Sequence, residues 1–210
     1  MSDVLYLVLG WLFGLFSPLI YDRIKKKYQQ EEIKRGLLTE LKETEFKVVG
    51  AVYLLSRRLG LYNRELLEWL RPNVKSYSGA HYKDYILKAI ESHLDLTDEQ
   101  LAALSQYDKD EGKEGLSLKK YTLPFLDSMI GSLSVFDAEF QNKAFEIRAQ
   151  VNLLNEEIDQ TRFYFRMTFD SNLTPENHSV VTQNLNRCYE NVLGASRRLA
   201  DRISNLSSLS

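Results

Sequence analysis

The stretch VLYLVLGWLFGLFSPLIY, residues 4–21, carries no charge between Asp3 and Asp22, and its reading decides how the rest of the chain is arranged. Its eighteen residues at about 1.5 Å each make a helix of about 27 Å, close to the roughly 30 Å hydrocarbon core of a bilayer. A membrane span is the expected reading. The competing reading is a buried core helix, because the run is short for a span, but Gly10, Gly14 and Pro18 suit the interior of a soluble helix poorly. An interfacial helix would need a polar face, and Tyr6, Trp11, Ser17 and Tyr21 do not supply one.

Working outward, the basic residues follow the run instead of preceding it. Arg23, Lys25, Lys26 and Lys27, with Lys34 and Arg35 beyond, face only Asp22, Glu31 and Glu32. This order is wrong for a cleaved secretory signal. By the positive-inside rule it places the N-terminus outside and the C-terminal part in the cytosol of an inner or plasma membrane. The basic residues then meet anionic headgroups, with an attraction of about 1 kcal/mol each. A single cysteine, Cys188, agrees with a reducing compartment. The expected division is an anchor over 1–22 and a cytosolic domain over 23–210.

The remaining chain has the composition of a folded protein, with 44% apolar and 27% charged residues and a net charge of -2. Leu38, Leu41, Glu45, Val48, Val52, Leu55 and Leu59 recur at steps of three and four, so the anchor helix is expected to continue into the domain. Gly60 suits its C-terminal stop, and Asn63 caps a short helix that Pro72 is expected to end. A second short helix fits 81–93. A third starts at the capping box Thr97-Asp-Glu-Gln100. These pieces make a small cap insertion over 63–116, and YDKDEGKEG, 107–115, reads as an exposed connection.

From Thr122 to about 170 the apolar spacing reads as one long helix, with Pro124 in its first turn. Thr174-Pro175-Glu176 starts the last helix, whose stripe includes Val181, Leu185, Cys188, Val192, Leu199, Ile203 and Leu206. The expected fold is all-α: a transmembrane helix continuing into an elongated antiparallel three-helix bundle with a small helical cap. In that arrangement the second long helix returns to the bilayer, and Arg57 and Arg58 meet Arg197 and Arg198 at the far pole.

The motifs of chemistry do not assemble. Gly112-Lys113 lacks the upstream glycines of a phosphate loop, and Asp108, Asp110 and Gly112 miss the spacing of a calcium loop. His81, His93 and His178 stand far apart, and Cys188 lies on an apolar stripe. No catalytic, cofactor-binding or metal-ligating residue is therefore assigned, and an enzyme is not expected.

Interaction is the better class. Gly10-x-x-x-Gly14 with Ser17 forms a small-residue face on which two spans can approach, giving a route to a homo-oligomer. TRFYFRMTFD, 161–170, surrounds its helix with aromatic residues, so Phe163 and Tyr164 join the arginines as partner surfaces. Nucleic acid is an unlikely ligand, since arginines near helix ends pair with local carboxylates. The expected function is a single-pass, membrane-anchored scaffold, adaptor or sensor acting on the bilayer and a protein partner. The alternative is a membrane-disrupting effector that oligomerises through its span.

Overall fold

A computed structural model describes residues 2–79, 82–111, 116 and 118–208. Those residues form seven α-helices and a 3-10 turn, and no strand occurs among them. The helices are α1 (Ser2–Leu59), α2 (Arg64–Lys75), α3 (Tyr82–Leu94), α4 (Asp98–Glu111), α5 (Pro124–Met129), α6 (Ala138–Met167) and α7 (Pro175–Ser207). The fold is an all-α helical bundle. Among the described residues no helix is long and apolar enough to cross a membrane. The side chains of residues 4–10, 12, 13, 15, 16, 19 and 20, most of the apolar run, are not among those described.

α1 is one helix of 58 residues, about 87 Å long. Gly60 ends it at φ 66, a left-handed conformation that glycine adopts without strain, and Leu61 N donates to Ser56 O at 2.9 Å. Asn63 Oδ1 then accepts from Leu66 N at 2.9 Å to start α2. That helix passes through Pro72 and runs to Lys75 instead of ending there. Two contacts explain the continuation. Asn73 Nδ2 donates to Trp69 O at 2.7 Å, and full burial of Val74, worth about 1.5–3 kcal/mol, offsets much of an interior proline's cost of about 3 kcal/mol.

The capping box of α4 forms as its sequence implies: Gln100 N donates to Thr97 Oγ1 and Thr97 N to Gln100 Oε1. α4 reaches Glu111, farther than a loop from Tyr107 would allow, because Asp108 is held by Arg57 of α1. His81 and residues 112–115, including Gly112-Lys113, lie outside the described residues.

The expected single helix over 122–170 is broken. α5 gives way to the 3-10 turn Ile130–Val135, Phe136 is extended, and Asp137 caps a new helix by accepting from Phe140 N at 2.8 Å. The preceding segment determines direction. Leu118 O accepts from Arg162, Tyr121 exchanges two hydrogen bonds with Asn155, and Asp127 pairs with Arg148, so residues 118–127 run antiparallel to α6. At the end of that descent, both carboxylate oxygens of Glu40 accept from the chain, taking Phe125 N at 2.7 Å and Leu126 N at 2.9 Å.

α6 therefore rises from the base of the bundle instead of returning to it. The extended segment makes the return journey. α7 descends against α6, with Asn191 bonded to Glu157 and Arg202 paired with Glu146, and it packs along both α6 and α1. The core joins Leu41, Val48, Val52 and Leu55 of α1 to Ile147, Val151 and Leu154 of α6 and Tyr189, Val192, Leu199 and Ile203 of α7. α2 descends beside α1 until Tyr77 stacks on Phe46, with ring centroids 4.1 Å apart.

Candidate interaction surfaces

Among the described residues of α1 the first that is fully buried is Leu37, with Ile33 partly buried just before it. Below that level α1 stands clear of the bundle. Trp11, Tyr21, Ile24 and Tyr28 are exposed at 66%, 65%, 51% and 69%. Arg23, Lys25, Lys26 and Lys27 are exposed as well, and Lys27 makes a 4.0 Å ion pair with Glu31. Gly14 and Ser17 are exposed, and a Cβ built on Gly14 would meet nothing within 4 Å. Gly10 lies on the same helix, but its surroundings are outside the described residues.

At the upper end, α1, the loop that follows it, α3 and α4 close around a polar cluster. Arg57 holds Asp108 through two hydrogen bonds of 2.7 and 2.8 Å, and its guanidinium lies 5.9 Å from the Tyr53 ring centroid. The Asp108 carboxylate raises the arginine's pKa against the opposing effect of burial. Tyr62 N donates to Ser105 Oγ, and the Tyr62 hydroxyl bonds to His93 Nδ1. Burial raises the Tyr62 pKa and lowers that of His93, so both shifts favour the neutral forms. Donation from Tyr62 then assigns the imidazole proton to Nε2.

The polar cap is a structural clasp. It joins α1, the loop that follows α1, α3 and α4. The adjacent cleft, about 290 Å³, includes Tyr62 and Leu101, but its Arg64 is committed to Asp98 and to the carbonyls of Leu94 and Leu96. Among the described residues no group of three or more metal-ligating side chains converges.

The arginines are held by different neighbours. Because α7 descends, Arg197 lies against α2, bonded to Glu65 and 5.3 Å from the Trp69 ring centroid, while Asp201 accepts from Trp69 Nε1. Arg57 is held by Asp108 of α4, and Arg58 has a buried Nε without a hydrogen-bond partner. Arg198 lines the groove between α6 and α7.

Phe163 and Tyr164 also change place. The upward course of α6 puts them at the end remote from Tyr28, with Phe163 and Phe169 exposed and Tyr164 packed partly into the core. The base instead presents a cleft of about 620 Å³ between Lys34, Arg35, Leu38 and Lys42 of α1 and Ser76–Gly79. Glu40, His93 and Asp108 were absent from the sequence-derived surfaces, since their partners lie 31 to 86 positions away. No protein-family model, curated protein or solved structure matches the chain.

Proposed function

We propose that the protein is a non-catalytic interaction module held at a membrane by α1. The supporting observation is that one unbroken helix carries the uncharged run and leaves Tyr21 to Tyr28 outside the bundle. An apolar helix of this length is stabilised by hydrocarbon, whereas about 27 Å of it exposed to water is a persistent aggregation surface. The basic residues 23–27 then occupy the headgroup region, with the bundle on the cytosolic side. α6 carries Phe163 and Phe169 to the end farthest from this anchor, where a protein partner has access to them.

Alkaline carbonate extraction tests the anchor: the full chain should remain with the membrane pellet, and release into the supernatant would reject it. A reporter fused after Ser210 should be active only on the cytosolic side. The reading of a membrane-disrupting effector is supported by the open face of Gly14, which permits close helix approach. Loss of membrane potential on controlled expression would favour that effector over a passive scaffold.

A further inference from the structure

We infer that α1 pairs with α1 of a second copy, parallel and in register, along a stripe ending at Tyr28. This rests on the anchored reading, because a common membrane orientation makes the paired helices parallel. Tyr21, Ile24 and Tyr28 are large, exposed and untouched by the bundle. Their spacing of three and four continues through Ser17, Gly14 and Gly10 in the same helix. Glycines and serine allow approach within the bilayer, while isoleucine and tyrosines fill the contact outside it.

The stripe points away from the chain's own core. At 100° per residue its centre lies about 150° around α1 from the face carrying Leu37, Leu41, Val48, Val52 and Leu55. The next positions in the repeat are Glu31 and Arg35, so the apolar seam stops there. Immediately above, Ser76–Gly79 approaches α1 beside Leu38 and Lys42. The same face thus passes from an unpartnered stripe to a region occupied by its own chain.

Charge favours a second copy as the occupant. Lys27 and Glu32 are exposed, five residues apart, on opposite flanks of the seam. In a parallel, in-register pair each Lys27 faces Glu32 of the other copy. The outward positions hold Asp22, Arg23 and Lys26. Helices crossing at about 20° near Ser17–Tyr21 are offset sideways by about 10 Å at the level of Leu38, which opens space for the two cap segments. A steep crossing of about 40° at Gly14 would instead separate the helices before Tyr28.

The test is oxidative cross-linking of the full-length protein in native membranes, using single cysteines added at I24C, Y28C or K26C while Cys188 remains buried. Dimers at I24C and Y28C but not K26C are expected. K27E should lower the I24C dimer fraction about fivefold, and adding E32K should restore it. No dimer at I24C and Y28C, or equal cross-linking at K26C, overturns the pair. A dimer through G14C alone overturns the extended seam. Carbonate extraction of the same samples separates the two claims: release with retained cross-links rejects the anchor, while retention without them rejects the pair.

Discussion

At the scale of single residues, Glu40 determines where the chain turns. Its carboxylate accepts the Phe125 and Leu126 amides at the start of α5, holding the end of the descending segment on α1. Removing it leaves two amides without that partner. Glu40→Ala should therefore cost about 1–3 kcal/mol in chemical denaturation, while Glu40→Gln, which retains one acceptor oxygen, should cost less. His93 provides a pH test. Burial, then Arg57, lowers its folded pKa, Asp108 opposes the shift, and Tyr53, Tyr62 and Ser105 complete the surrounding polar cluster. Between the depressed value and 6.5 the unfolded chain binds more protons, so the His93 contribution is present above 6.5 and is lost as pH falls through the folded value. Urea midpoints measured from pH 8 to pH 5 should show that loss, and His93→Gln should flatten it. Glu45 has the opposite sign: burial raises its pKa despite Lys42 at 3.0 Å, so its contribution is present below 4.5 and is lost as pH rises through the folded value.

At the scale of elements, local chemistry was legible where neighbours in sequence complete it. Gly60, Asn63, the Thr97–Gln100 box and Thr174-Pro175 all mark helix ends, and the apolar stripe from Val181 to Leu206 is buried. The break before α6 had a local signal too, in Gly131 and the capping Asp137, but apolar spacing alone carried the reading across it. Its consequence was not local. Residues 118–122 lie outside any helix and are placed by side chains such as Asn155 and Arg162. Periodicity cannot distinguish an ascending α6 from a descending one, because both bury the same stripe. The distinction required Glu40 and Gly36 on α1, where a Cβ on Gly36 would come within 2.4 Å of the Phe125 ring. Spin labels at Lys34 and Asp127 should accordingly give a short distance, whereas labels at Lys34 and Phe169 should be about 45 Å or more apart, the rise of α6. The reverse order of distances would restore the returning helix.

At the scale of the whole molecule, the bundle and the projecting part of α1 are physically unequal. Burial on α1 begins with Ile33 and Leu37, while Tyr21, Ile24 and Tyr28 contribute no contact that holds α6 or α7 in place. The three long helices share α7 as their common neighbour, and Glu40 and the upper polar clasp tie the connections to α1 above the projection. A chain beginning at Glu31 should therefore fold without detergent and unfold in one transition. Its denaturation midpoint should match that of the full chain's bundle, because the deletion removes no core side chain. It should also leave the membrane fraction and sediment as a monomer, since it lacks both the uncharged run and the Gly10–Tyr28 stripe. A large fall in midpoint would mean that the projecting helix packs against the bundle. Retention of dimers would place self-association elsewhere, and the exposed Phe163 and Phe169 at the upper end would be the first residues to replace.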